Sequence, residues 1–189
     1  FKAFKNQIQT VHANGSRQKV KHHNEHIIID KNELKIGQNK IKIKYNAGDD
    51  ALNRSANFLY TLFVPDRMRT SFPSFDQPNL KATFELTLRV PESWETMSST
   101  TIARETQRNR KKIVRFKKSD KMSTYLFSFV AGRFIKIKTV LDGLEMTMLH
   151  REPDTEKVNR NLKEIFSLHK DSINYMENYT GIKFPFLKF

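Results

Sequence analysis

Residues 82–90 read Ala-Thr-Phe-Glu-Leu-Thr-Leu-Arg-Val, an unbroken alternation of apolar and polar side chains. A β-strand places successive side chains on opposite faces, so this stretch predicts a strand with one face in a core and the other in water. Strands of that kind are typical of antiparallel sheets. Residues 40–45 repeat the pattern, because Ile41, Ile43 and Tyr45 alternate with lysines. The sequence therefore predicts a mainly β fold.

Turn signals lie between the strand-like runs. Asn14-Gly15 can form a hairpin turn, and Asp142-Gly143 separates two alternating runs. These dipeptides tolerate the positive φ angles that two-residue hairpin loops require. Pro65 and Pro91 end two further runs, since proline cannot donate a hydrogen bond in a central ladder. We expect an antiparallel β-sandwich or an open, saddle-like sheet.

The hydrophobic period changes after Pro153. Asp154 or Thr155 can cap a helix start, and Gly181 suits the position after a helix end. We expect one long helix over residues 154–178 and a short strand within residues 184–189. The resulting domain prediction is a β-domain over residues 1–152 and the beginning of a second domain over residues 153–189. The apolar residues at helical spacing are Val158, Leu162, Ile165, Phe166, Ile173 and Met176.

The composition narrows the classes of function. Among 189 residues, 34 Lys and Arg face 20 Asp and Glu, which gives a formal net charge of +14. An excess of this size favours attraction to polyanions such as nucleic acids. The absence of cysteine excludes disulfides, thiol nucleophiles and cysteine-ligated metals. No run reaches the roughly 20 apolar residues of a membrane-spanning helix, so no membrane span is expected.

Residues 104–121 contain a dense cluster of lysine and arginine. The single aromatic residue of this cluster, Phe116, falls on the strand face opposite Arg115 and Lys117. Proteins that bind single-stranded nucleic acids stack bases on aromatic side chains. We therefore expect no specific nucleic-acid binding and interpret the cluster first as a solvated basic face. The alternative function, a stand-alone basic β-sandwich that binds nucleic acid or another polyanion, stays open on this evidence.

Two of the histidines are candidate metal ligands. His22 and His26 are four residues apart with Glu25 nearby, a spacing that binds zinc when it lies on a helix. Here the segment leads directly into the strand-like run 27–29, and no third ligand is evident. The sequence also contains no glycine-rich phosphate loop and no Gly-x-Ser-x-Gly motif. We expect no metal ligand and no catalytic residue in this chain.

A proline-clamped corner is predicted after residue 68. Two prolines stiffen the connection, two phenylalanines anchor it, and a carboxylate accepts backbone donors or pairs with a nearby cation. These residues are Pro73, Pro78, Phe72, Phe75 and Asp76, with Arg69 and Lys81 as the candidate cations.

The same corner resembles a signature of the aminopeptidase N family of zinc metallopeptidases, Ala-Arg-x-x-Phe-Pro-Cys-Phe-Asp-Glu-Pro-x-x-Lys-Ala-x-Phe. The chain departs from it at Met68, Ser74 and Gln77. Residues 129–134 and 179–185 also look like later stretches of that family. The matching residues are Arg69, Phe72, Pro73, Phe75, Asp76, Pro78, Lys81, Ala82 and Phe84.

The resemblance implies an N-terminal β-domain that covers the active-site cleft of a zinc aminopeptidase. Zinc is then expected in a catalytic domain beyond residue 189, and the first strands of the β-domain are expected before residue 1. In that family this domain can supply a glutamine to the substrate's amino group, at the position of Leu62. We therefore expect Leu62, Phe63 and Val64 to line the cleft.

The resemblance also implies partners. They are the catalytic domain of the parent chain and the peptide substrate of the parent, while the 189 residues alone are expected to be inactive. The apolar helix 154–178 is expected to self-associate when that catalytic domain is missing. The sequence predicts no cellular compartment.

Overall fold

The computed structural model describes residues 7–186 and 188–189. They form two compact units. The first contains the described chain up to Glu92 and Thr96–Ala131, and the second contains Ser93–Glu95 and Gly132–Phe189. Expectations for residues 1–6 and for Leu187 lie outside the described residues. The domain boundary near residue 152 stays a prediction.

Short strands dominate the chain before the helix. They form a three-stranded sheet of order β2-β1-β5, a second of order β10-β11-β8, a four-stranded sheet of order β6-β7-β12-β9, and the small hairpin β3-β4. The strands are β1 (Gln7–Ala13), β2 (Ser16–Gln18), β3 (His22–His23), β4 (His26–Ile27), β5 (Ile41–Asn46), β6 (Leu52–Arg54), β7 (Phe58–Thr61), β8 (Thr87–Pro91), β9 (Glu95–Ser98), β10 (Ile102–Arg108), β11 (Lys111–Phe116) and β12 (Phe129–Gly132).

The second unit contains a β-hairpin and the long helix. The hairpin pairs β13 (Ile135–Leu141) with β14 (Leu144–His150), and the helix is α1 (Thr155–Thr180). The Asp154 side chain caps α1 by accepting a hydrogen bond from the Lys157 N–H at 2.9 Å, and Gly181 ends it at φ 69°. The predictions of a mainly antiparallel β fold and of one long C-terminal helix are confirmed.

The two predicted hairpin turns are present. Asn14-Gly15 joins β1 to β2, and Asp142-Gly143 joins β13 to β14, with positive φ at all four residues. A third turn, Asn109-Arg110, joins β10 to β11 with φ of 53° and 57°. It lacks glycine, so the sequence carried no strong signal for it.

The stretch 82–90 keeps its alternation but forms a shorter strand than expected. Regular pairing begins only at Thr87. At Phe84 a serine takes part in the hydrogen bonding, because the Phe84 N–H donates to Ser119 Oγ at 2.9 Å while the Ser119 N–H donates to the Phe84 carbonyl at 2.8 Å. A side chain thus occupies the place of a ladder bond there.

The core of the first unit is largely aromatic. Phe84 stacks on Phe127 with ring centroids 4.4 Å apart, and Phe63 and Phe129 pack beside them. The remaining buried members of this cluster are Ala51, Met68 and Met122. Offset-stacked and edge-on aromatic pairs stabilise a core beyond their buried area alone. This core lies directly beneath the proline-clamped corner.

The helix α1 is covered on one side only. Val158, Phe166 and Ile173 are buried, whereas Met176 and Tyr179 near the C-terminal end are exposed. Within the described residues, no helix combines the length and the apolar character that crossing a membrane requires.

The chain end returns to the hairpin of the second unit. The Phe189 N–H donates to the Glu145 carbonyl and the Thr147 N–H donates to the Phe189 carbonyl, both at 2.9 Å. The Phe189 ring also contacts His169 of α1, with ring centroids 5.0 Å apart. The expected short strand is therefore a single parallel bridge, between Lys188 and Glu145.

Candidate functional site

Asp76 is the centre of the proline-clamped corner. Its residue is only 8 % exposed. One carboxylate oxygen, Oδ2, accepts the backbone N–H of Arg69 at 2.8 Å and so holds the short 3₁₀ turn Met68–Thr70. The other, Oδ1, accepts the hydroxyls of Thr124 at 3.1 Å and Ser74 at 3.3 Å. A buried carboxylate requires such donors, and here they join three separate segments of the chain.

Arg69 carries the positive charge of the corner. Its guanidinium donates to Glu25, lies 3.8 Å from Asp66 and approaches Asp76 with Nε 4.0 Å from Oδ2. Of the two cations that the sequence offered to Asp76, the structure selects Arg69, while Lys81 is exposed. The Arg69 guanidinium thus lies among three carboxylates.

The two phenylalanines of the signature have different environments. Phe72 packs edge-on against Phe63 at 5.8 Å, Phe129 at 6.2 Å and Tyr45 at 6.3 Å between ring centroids. Burial raises the pKa of the Tyr45 phenol above its ordinary value, because a buried site disfavours the charged phenolate. Phe75 is instead 67 % exposed. The expectation that both rings anchor the corner is wrong for Phe75.

The two prolines lie at the corner surface. Pro73 is half-buried and Pro78 is exposed. The Pro78 carbonyl accepts a hydrogen bond from the Ser123 hydroxyl at 2.6 Å, next to the Thr124 that contacts Asp76. The segment 123–124 therefore closes the corner from the far side.

Leu62, Phe63 and Val64 follow β7 directly. Leu62 and Val64 are 51 % and 62 % exposed, whereas Phe63 is 2 % exposed and belongs to the core. Only the first and third of these side chains can therefore contact a ligand. The Val64–Pro65 peptide bond is cis.

Backbone hydrogen bonds hold this exposed pair in place. The Leu62 N–H donates to the Ala51 carbonyl at 2.9 Å, and the Arg67 N–H donates to the Phe63 carbonyl at 2.8 Å. The Arg67 guanidinium also donates to the carbonyl of Asp50. The apolar pair thus lies on a well-supported turn, which suits a surface that presents a fixed shape to a substrate.

An open groove of about 460 Å³ lies beside the corner. Ile41, Ile43 and Phe75 supply apolar walls, and Arg69 and Glu25 lie at its polar side. Its size is within the range of small-molecule pockets.

The candidate metal ligands do not assemble. His22 and His26 lie on the two paired strands of the small hairpin, where His22 is opposite Ile27 and His26 is opposite His23. Across residues 7–186 and 188–189, no three His, Cys, Asp or Glu side chains form a group that could hold a metal ion. That this chain binds no metal stays a prediction, which elemental analysis can test.

The sequence around the corner matches a known protein family. The family model of the peptidase M1 N-terminal domain matches residues 6–126 and includes the entire corner. The chain belongs to this family. The resemblance found in the motif at Arg69–Phe84 is thereby confirmed, and the M1 N-terminal domain accounts for the first unit almost completely.

Individual relatives agree with this assignment. Aminopeptidase M1 of Arabidopsis thaliana is 29 % identical over 163 residues, which is 82 % of this chain and 18 % of the relative. Aminopeptidase N of Streptomyces lividans is 27 % identical over 136 residues, 70 % of this chain and 15 % of the relative. Human glutamyl aminopeptidase is 27 % identical over 125 residues, which is 66 % of this chain and 13 % of the relative. The part of this chain that matches spans less than a fifth of the length of each of these three relatives.

Some partners in the M1 N-terminal domain carried no sequence signal. Glu25 is 44 residues from Arg69, and Thr124 is 48 residues from Asp76. Neither residue lies in the signature. A carboxylate in a corner of this kind indicates that a partner exists, but only the fold shows which partner it is.

Proposed function

We propose that this M1 N-terminal domain serves a zinc-dependent aminopeptidase, a hydrolase that removes residues from peptide N-termini, and that it forms one wall of the substrate cleft. The observation that carries the proposal is the family match over residues 6–126, which includes the corner where both carboxylate oxygens of Asp76 accept hydrogen bonds. A corner held this firmly provides a rigid platform for residues that contact a substrate.

Leu62 and Val64 are the residues that we propose to contact the substrate. They are the exposed apolar pair on the supported turn after β7. Apolar side chains cannot bind an ammonium group, so in this protein they are proposed to pack against the first side chain of the peptide. Binding of the amino group is then left to residues outside this domain.

The test is the selectivity of the full-length protein. Leu62→Ala is expected to lower the ratio of kcat/KM for leucyl over alanyl p-nitroanilide about fivefold, because it removes part of an apolar contact worth about 1 kcal/mol. Val140→Ala, a truncation of another exposed apolar residue, on β13, is the control and should leave the ratio unchanged. An unchanged ratio in Leu62→Ala contradicts the contact, and a full-length protein that hydrolyses neither reporter contradicts the proposed function itself.

The zinc ion of this proposal does not fit the residues described here. No group of three ligating side chains exists within residues 7–186 and 188–189, so the ion is proposed to bind in another part of the full-length protein. Chelator-washed chain 1–189 is expected to retain far less than one zinc per molecule by elemental analysis and to cleave no aminoacyl reporter. Retention of one tightly held zinc per chain would contradict this, and His22→Ala with His26→Ala would locate it.

The partner of the second unit is proposed to be the catalytic domain of the same protein. The groove of about 440 Å³ between the C-terminal half of α1 and the returning chain is lined by Met176, Ile182, Phe184 and Phe189. Such an apolar surface is normally covered. For chain 1–189 alone we propose self-association through residues 154–178, measurable as a concentration-dependent mass in sedimentation equilibrium and weakened by Met176→Lys.

A further inference from the structure

The strand register of the sheet β10-β11-β8 places four of the nine cations of residues 104–121 on one face, together with Arg89. On β11 the residues alternate strictly, with Lys112, Val114 and Phe116 buried and the residues between them exposed. The exposed face continues onto β10, whose seven residues are all exposed, and onto β8. We call it the outer basic face, and its residues are Thr87, Arg89, Arg104, Thr106, Arg108, Lys111, Ile113 and Arg115.

Like charges lie directly opposite one another on the outer basic face. Arg104 pairs with Arg115, and at the turn end Arg108 pairs with Lys111. Side chains opposite each other in an antiparallel pair lie only about 5 Å apart, and like charges at that distance destabilise the sheet. The carboxylate Glu85 reaches one of them, Arg115. An external anion would therefore relieve a repulsion that the fold itself retains.

We propose that the outer basic face docks on the surface of an anionic phospholipid bilayer. The face offers five cations on one side of a three-stranded sheet, and each lysine or arginine near an anionic membrane surface adds to binding. Phosphate-bearing headgroups supply negative charge over an area, which matches a two-dimensional array of cations.

Ile113 distinguishes a membrane from a nucleic acid as the partner. It lies between the two like-charge pairs, opposite Thr106 on one side and Arg89 on the other, and is 39 % exposed. An aliphatic side chain amid cations can enter the boundary between headgroups and acyl chains. On a nucleic acid it would contribute nothing, and the register places no aromatic residue on this face to stack on a base.

The experiment is co-sedimentation of chain 1–189 with phosphatidylcholine vesicles that contain phosphatidylglycerol. Binding is expected at low ionic strength and should be lost on pure phosphatidylcholine or in high salt, because salt screens the attraction. The triple variant Arg104→Gln, Arg108→Gln, Lys111→Gln is expected to lower the partition coefficient about tenfold or more. The matched control, Lys40→Gln, Lys42→Gln, Lys44→Gln, removes the same charge from β5 and its start and should lower it far less.

Ile113→Thr tests the apolar contact independently, because it leaves the charge unchanged. It is expected to weaken vesicle binding severalfold while leaving heparin binding, the probe for charge alone, unchanged. Three outcomes would overturn the proposal: no vesicle binding at low salt, equal losses in the two triple variants, or tighter binding to duplex oligonucleotide with no effect of Ile113→Thr. Unfolding curves test whether each variant is folded. Because the triple variant on the outer basic face removes like-charge pairs, its stability should not be lower than that of the unchanged chain.

Discussion

Asp76→Ala is expected to lower the free energy of unfolding by about 3 kcal/mol, the size found when one member of a buried polar network is removed. The alanine leaves the Arg69 N–H without its acceptor and removes the oxygen that the hydroxyls of Ser74 and Thr124 share. Both carboxylate oxygens accept hydrogen bonds, and a methyl group replaces neither of them. Urea unfolding followed by circular dichroism measures the change.

Asp66→Ala is the matched control for this prediction. Asp66 lies 3.8 Å from the same guanidinium but is exposed, and exposed ion pairs contribute little. We expect a change of under about 0.5 kcal/mol for it. Similar losses in both variants would show that Arg69 pairing, rather than the buried acceptors of Asp76, holds the corner.

Phe72→Ala is expected to lower the free energy of unfolding by about 3 kcal/mol, through lost burial and the cavity left in the core. The ring contacts three aromatic neighbours edge-on, and two of them, Phe63 and Phe129, also pack against Phe127. The same unfolding measurement applies, and the aromatic near-ultraviolet signal should decrease with it.

Phe75→Ala, three residues further along the same motif, is the control. Its ring is 67 % exposed, so truncation should change stability by less than about 0.5 kcal/mol. Should this variant lose as much stability as Phe72→Ala, the packing described for the corner is incorrect. If Phe75→Ala weakened the binding of a ligand without changing stability, that ligand would be assigned to the adjacent groove.

The elements with local causes were predictable from the sequence. The alternation of residues 40–45 and 82–90, the Asn14-Gly15 and Asp142-Gly143 turns, and the capped helix after Pro153 each depend on residues that are neighbours in the chain. Period-2 and period-3.6 patterns, positive-φ dipeptides and helix caps act within a few residues. The motif around Arg69 likewise identified the family without any coordinates.

The tertiary structure decided how that motif is used. Phe72 and Phe75 are equally aromatic and have similar neighbours in sequence, yet one is packed among aromatic rings and the other faces solvent. Asp76 had several possible partners within reach of its own segment, and the fold brings Thr124 to it from 48 residues away. Burial depends on which segments meet, and that information is spread over the entire chain.

For the basic cluster too, the sequence determined some features and only the tertiary structure decided the others. The sequence by itself determined that residues 104–121 carry many cations and that Phe116 faces away from Arg115 and Lys117. It could not place Arg104 opposite Arg115, because that pairing depends on the Asn109-Arg110 turn, which lacks the usual glycine. A shift of one residue in that turn would exchange the faces of β10, since side chains alternate along a strand. The outer basic face thus exists because the tertiary structure selected one register, in which like charges meet and Ile113 lies between them.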